Sequence, residues 1–120
     1  MTKQELLNLA RIKLFEVGAH TQHHPLLTNL SVEKQRQEIG ESKKFLENVL
    51  DRPVRSFSYP HGAYTADTVK LVREMGFDAS CTCVVRQAVA TDDPLLLPRF
   101  CVLDWDGPTF EENLKVWLNG

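Results

Sequence analysis

The sequence predicts an α/β fold with about four parallel strands and helices outside them. Three observations predict it. Stretches with apolar residues at three- and four-residue spacing alternate with short β-rich runs along the chain. The strand-like runs are separated by polar or Pro/Gly turns and capped helices, the arrangement of crossovers between parallel strands. Finally, 120 residues with 42% hydrophobic content suit one domain with one core.

Thr2 and Glu5 form a capping box for a helix over residues 3–12, with Leu6, Leu7, Leu9, Ala10 and Ile12 as its apolar stripe. Residues 14–19 read as a first strand, and 26–30 as a connector. Ser31 caps a long helix reaching Leu50, with Val32, Ile39, Leu46, Val49 and Leu50 inward. Its charges, Glu33, Lys34, Glu38, Lys43, Lys44 and Glu47, read as a solvated face, and Gly40 weakens it by about 1 kcal/mol relative to alanine.

Residues 54–59 form the second expected strand and 60–64 a turn. Thr65 caps a helix of about ten residues with Val69, Val72 and Met75 inward. Gly76 then takes the left-handed position of a Schellman motif, with Phe77 packed back on Val72. A third strand is expected over 77–85, a polar loop over 86–94 and a fourth strand over 95–102. Pro98 confines that last strand to an edge or an interrupted ladder. Asp106, Gly107 and Pro108 turn the chain into a closing helix with Phe110, Leu114, Trp117 and Leu118.

A net charge of −2 and a pI near 6.1 offer no basic field for nucleic acid or an anionic membrane. No apolar run reaches membrane-spanning length, and no signal-peptide pattern opens the chain. Cys81, Cys83 and Cys101 cannot all pair, and buried free thiols in a reducing, cytoplasmic setting are expected.

The chemistry gathers in two loops. One follows the first strand and carries His20, Thr21, His23 and His24, the other follows the second and carries Tyr59, Pro60, His61 and Gly62. In a parallel sheet both leave the same edge, where α/β folds place their sites. Neutral imidazoles are common metal ligands. Pro25 disfavours a helical His24, so His20 and His24 reach a metal from a loop or belong to a solvated turn. Arg99 is either a surface charge or paired with a carboxylate near the mouth. Asp104 and Asp106 form a carboxylate cluster or a solvated turn.

The segment from Gly18 to Leu27, with His20-Thr21-Gln22-His23-His24-Pro25 at its centre, resembles the His-[Ser/Thr]-x-x-His-Pro motif of the polysaccharide deacetylases, carbohydrate esterase family 4. Phe57-Ser58-Tyr59-Pro60-His61-Gly62-Ala63-Tyr64 is similar to that family's Phe-Ala-Tyr-Pro-Tyr-Gly-x-Tyr segment. Met75-Gly76-Phe77 and Leu97-Pro98-Arg99-Phe100-x-Val102 fit as well. The resemblance implies a partial (β/α) barrel that hydrolyses N- or O-acetyl groups of an acetylated polysaccharide or oligosaccharide with a divalent metal, usually zinc. It makes His20 and His24 the metal ligands and Thr21 the hydroxyl that braces their loop. Thr21, Tyr59, Pro60 and Arg99 become the substrate side. The main-chain N–H of His61 is implied as an oxyanion donor, and its ring is the one imidazole left at the mouth as acid or base.

Departures from the family pattern carry their own expectations. The Thr-Phe-Asp-Asp motif that supplies the base and the third ligand does not precede the histidine loop. Thr91-Asp92-Asp93-Pro94 lies after the third strand and is no counterpart. The family's late Leu-x-His is absent, Val102-Leu103-Asp104 being nearest. Ser58 stands where many members have arginine, and Arg99 substitutes. A full (β/α)₈ barrel needs at least about 200 residues. The chain is therefore expected to be the C-terminal portion of the family domain, weak as a catalyst alone. It would be completed by an N-terminal segment or by self-association. The alternative is a non-catalytic metal- or carbohydrate-binding module.

Overall fold

A computed structural model describes residues 1–119. Its helices are α1 (Lys3–Ala10), α2 (Val32–Leu50), α3 (Ala66–Glu74) and α4 (Gly107–Asn119), and its strands are β1 (Ser56–Ser58) and β2 (Ala79–Cys81). Short 3₁₀ turns lie at Leu27–Asn29 and Pro60–Gly62. β1 and β2 pair in parallel, with Ser56 opposite Ala79 and Ser58 opposite Cys81. Single parallel bridges, Ala19 to Phe57 and Cys81 to Leu97, extend the sheet on both sides. The order is therefore Ala19, β1, β2, Leu97, four parallel segments with α2 and α3 in the first two crossovers and a loop in the third, a partial (β/α) barrel.

Local chemistry sets the helix ends. Thr2 Oγ1 accepts from Glu5 N–H at 3.3 Å, while the Glu5 carboxylate accepts from Thr2 N–H at 2.6 Å. Ser31 caps α2 through Lys34 N–H, and Thr65 caps α3 through Thr68 N–H. At the end of α3, Gly76 adopts φ +73°. Its N–H donates to Arg73 O and that of Phe77 to Val72 O, the two bonds of a Schellman motif.

The core lies between the sheet and the α2–α3 pair. Ala19, Leu27, Ile39, Val54, Phe57, Tyr59, Val69, Leu71, Val72, Phe77 and Leu95 are buried together. Gln35, itself buried, ties the layers: its Nε2 donates to Leu30 O and its Oε1 accepts from Thr68 Oγ1 at 2.7 Å. Val32, expected inward, is exposed at the first turn of α2.

The strands are shorter than expected. Of residues 14–19 only Ala19 joins the ladder, its N–H donating to Ser56 O and its C=O accepting from Ser58 N–H. Upstream, Phe15 N–H donates to Ile12 O, so the chain is still turning where a strand was expected. Leu14 is 92% exposed. The thiols depart from expectation too. β2 ends at Cys81, which is half-buried, and the chain beyond it leaves Cys83 and Cys101 exposed, all three free. The α1 stripe is only half-buried, and α4 has no buried residue. Trp117 of α4 instead stacks on Phe100, centroids 4.5 Å apart. Asp104 and Asp106 are exposed, and Asp106 caps α4 by accepting from Thr109 N–H at 2.9 Å, so this pair is the solvated turn.

Candidate metal centre

The histidine loop leaves the sheet directly after Ala19, and the His61 turn leaves it two residues after β1. Parallel pairing sends both from the same edge and brings three rings together. His20 and His24 have centroids 4.8 Å apart, and His24 and His61 4.5 Å apart, both pairs edge-on. All three residues are exposed.

His20 Nδ1 lies 2.7 Å from the carbonyl oxygen of Ser58. A carbonyl only accepts, so the proton sits on Nδ1 and Nε2 presents a lone pair. Metal-bound histidines are commonly oriented through such a bond. Gly18 keeps this approach close: a Cβ there would fall 2.7 Å from Ser56 Oγ and 3.1 Å from Ser56 O, so the Ser56 hydroxyl would have to turn away and the two segments ease apart by a few tenths of an ångström.

Backbone strain concentrates here. Four non-glycine residues have positive φ, and three of them, Thr21 (63°), His24 (56°) and His61 (58°), belong to the cluster. Each such conformation costs about 1–3 kcal/mol and persists only where its surroundings hold it. Thr21 Oγ1 accepts from His24 N–H at 3.1 Å. From α2, Glu38 accepts from Gln22 N–H at 3.1 Å, His23 N–H at 3.0 Å and His23 Nδ1 at 2.8 Å. Burial alone would raise the Glu38 carboxyl, but the bonds from His23 and Gln22 outweigh it and hold the group below the ordinary glutamate value. Sequence reasoning missed this contact by assigning Glu38 to a solvated face. The available signal was its place beside Ile39 and three residues from Gln35, on the edge of the buried stripe.

The remaining candidates are distributed differently. Tyr59, placed on the substrate side by resemblance, lies in the core: its side chain is fully buried and its hydroxyl donates to Leu95 O at 2.9 Å. Burial raises its phenol pKa against a lowering contribution from the Ser80 hydroxyl. Pro60 is buried as well. Arg99 is exposed and meets no carboxylate among the described residues. Its guanidinium lies 3.7 Å from Cys83 Sγ, and Cys83 in turn backs onto Gly62, where an added Cβ would come within 2.7 Å of Cys83 Cβ. Arg99 therefore stands beyond the His61 turn. Concavities of about 410 Å³ near Arg86, Phe100 and Trp117 contain no histidine, whereas one of about 280 Å³ is lined by His20, Ser58 and Cys81.

Two residues fit one side of a divalent-metal shell. His20 offers a free Nε2, His24 adjoins it, and the Oγ of Ser58, whose carbonyl holds His20, is buried without a hydrogen-bond partner. A closed site is not present: among the described residues no group of three or more His, Cys, Asp or Glu is arranged to hold a metal ion. Two imidazoles with open positions remain, to be filled by water, substrate or an outside donor.

Comparisons with known proteins bear on the family and the fold. The polysaccharide deacetylase family model matches residues 2–80. The polysaccharide deacetylase-like protein YxkH of Bacillus subtilis strain 168 is 27% identical over 82 residues, 68% of this chain and 29% of YxkH. The deacetylase PplD of Streptococcus pyogenes, solved with acetate, superposes with a TM-score of 0.87 at 25% identity over 98% of this chain and 50% of PplD. A mutant of BA3943, a CE4-family pseudoenzyme, superposes with a TM-score of 0.55 at 25% identity, over 64% of this chain and 29% of that one. The chain thus spans about half the length of PplD and less than a third of YxkH. With the matched segment running from the α1 cap into β2 and enclosing both histidine loops, the chain belongs to the polysaccharide deacetylase family.

Proposed function

We propose that this chain takes part in metal-dependent hydrolysis of N- or O-acetyl groups on an acetylated polysaccharide or oligosaccharide, with His20 and His24 as ligands of a divalent metal, zinc first. The observation that carries this reading is the His20–His24–His61 cluster at the strand ends, with Nδ1 of His20 fixed by Ser58 O. A bound divalent metal lowers the pKa of its water and polarises an acyl oxygen. The residues of this chain do the rest. His20 keeps its proton on Nδ1 and presents Nε2. The ring of His61, edge-on to His24, can take up or return a proton at its free nitrogen, and its main-chain N–H is the candidate oxyanion donor. Thr21 acts on the shape of the loop. Arg99 is assigned to a glycan hydroxyl or carbonyl rather than to the metal, a role supported by its exposed guanidinium beside Cys83. The three free thiols support the cytoplasmic setting, and the two outer sheet segments support self-association.

Activity of the chain alone should be weak. No carboxylate completes the cluster among the described residues, and each general acid or base typically contributes 10²–10⁴-fold. That same observation favours a second reading, a non-catalytic metal- or carbohydrate-binding module, and a CE4 pseudoenzyme is among the similar structures.

Calorimetric titration of the metal-free protein with zinc tests the reading. One binding event is expected, lost in His24→Ala; equal binding by that variant would sink the ligand assignment. Acetate release from acetylated chitin oligomers by the zinc-loaded chain separates the two readings. Slow turnover abolished in His61→Ala supports the hydrolase, while glycan binding without turnover supports the module.

A further inference from the structure

We propose that Glu38 is the positioning residue of the histidine loop, its carboxylate on α2 clamping Gln22 and His23 so that His20 and His24 face one divalent cation. This rests on the reading of His20 and His24 as ligands, and it gives roles to two residues that the family resemblance leaves without one. Residues 20–24 form a short span whose outer members carry the ligand rings and whose middle members carry the anchors. Two of its residues, Thr21 and His24, hold positive φ, a conformation that a free loop would leave. The internal bond from His24 N–H to Thr21 Oγ1 closes the turn on itself but does not tie it to the scaffold.

Glu38 supplies that tie. One of its oxygens, Oε2, takes both main-chain N–H groups, and the other, Oε1, takes Nδ1–H of His23. Three donors converge on one carboxylate from two of the three residues between the ligands, Gln22 and His23. The geometry is also rigid on the helix side. Glu38 follows Gln35 by one turn, and Gln35 is buried and bonded to Leu30 and Thr68; Ile39, the next residue, is fully buried. The Glu38 side chain is 18% exposed against 71% for His23, so the carboxylate is held in the wall and the imidazole lies over it. Hydrogen bonds to an ionised acceptor are the strong ones. His23 is thus a latch that adds a third bond to Glu38, its Nδ1 engaged by the carboxylate.

The proposal separates from a general contribution to folding. Positioning partners of ligand residues typically govern 10–100-fold in metal affinity. Glu38→Ala should weaken zinc binding by about that factor. Glu38→Gln, which keeps one oxygen able to accept both main-chain N–H groups, should recover most of the loss. His23→Ala, which leaves those two bonds in place, should fall between wild type and Glu38→Ala. Ser31→Ala, a cap deletion on the same helix, should lower thermal stability and leave zinc affinity unchanged. Hydrogen exchange on the metal-free protein gives the second readout: the Gln22 and His23 amides should exchange at least about tenfold faster in Glu38→Ala, and the Lys34 amide at its wild-type rate. If wild type binds zinc and Glu38→Ala binds it as tightly, the role of Glu38 is overturned while the ligand reading stands. Unchanged amide exchange in Glu38→Ala overturns it equally. If wild type takes up no zinc, the ligand reading fails and this role fails with it.

Discussion

Gly62 and Gly40 pose opposite problems for a methyl group. Gly62 has φ +68°, and a Cβ there would lie 2.7 Å from Cys83 Cβ and 3.0 Å from Cys83 N. Gly62→Ala therefore combines a left-handed alanine with a backbone clash, and should cost about 2–4 kcal/mol in urea unfolding. It should also disturb the adjoining His61. Gly40 lies inside α2, where a Cβ would meet Met75 Cε at 3.5 Å, an ordinary contact. Gly40→Ala should raise stability by about 1 kcal/mol. A Gly40→Ala variant that unfolds earlier than wild type would show that the contact with Met75 is tighter than its distance implies. At this scale the sequence exposed what depends on residue type and short spacing. The ligand candidates His20 and His24 stood out for that reason, as did the Gly76 cap. Glu38 did not: its place on the edge of the buried stripe hints at a partner, but the three donors come from a loop fifteen and sixteen residues upstream. Nor did the burial of Tyr59, whose hydroxyl finds Leu95 O only once the fourth segment has closed over it.

Elements were legible in proportion to how local their causes are. The caps at Thr2, Ser31 and Thr65 and the Schellman end of α3 each involve residues at most five apart, and they stand where the pattern put them. Strand extents depend on partners far along the chain. Residues 14–18 have strand-like composition, yet only Ala19 pairs, and 95–102 contribute one bridge at Leu97. The junction between α2 and β1 is similar. Lys43 and Glu47 read as solvated charges, but Glu47 accepts from Val54 N–H at 3.0 Å, and Lys43 donates to Val54 O while lying 4.4 Å over the Phe77 ring. The Val54 N–H chiefly, then Lys43, holds the Glu47 carboxyl below its ordinary 4.5 against the effect of burial. A lowered folded-state value means that the stabilisation is complete above 4.5 and is lost as pH falls below it. Thermal melts of wild type and Glu47→Gln should differ most near pH 7, with wild type higher, and the difference should shrink between pH 4.5 and pH 3. A constant difference across that range would show that the ionised carboxylate is not what joins the two elements.

At the scale of the whole molecule, the order Ala19, β1, β2, Leu97 leaves each outer segment paired on one side only among the described residues. Apolar side chains stand exposed along the same stretches of chain: Leu14 (92%) and Phe15 (52%) before the first segment, Val102 (58%) and Leu103 (63%) after the fourth. Unpaired parallel edges flanked by apolar surface favour association. Because the sheet is parallel, the Leu97 edge of one copy can meet the Ala19 edge of another in the same strand direction. A two-fold axis along the barrel would then satisfy both edges at once. Two 120-residue chains also approach the roughly 250 residues typical of a (β/α)₈ barrel, consistent with the match to half of PplD. Sedimentation at high micromolar concentration should show a dimer or larger species. Lysine at Leu14 and Leu103 together should shift the population toward monomer without unfolding it, since neither side chain is buried. Closure by this axis would carry both histidine clusters to the same mouth, so zinc affinity should fall when the double variant dissociates the dimer if an open metal position is filled from the second copy. A wild-type chain that sediments as monomer throughout would remove the edge-pairing model and leave the open positions beside the two histidines to water, substrate or a donor other than a second copy.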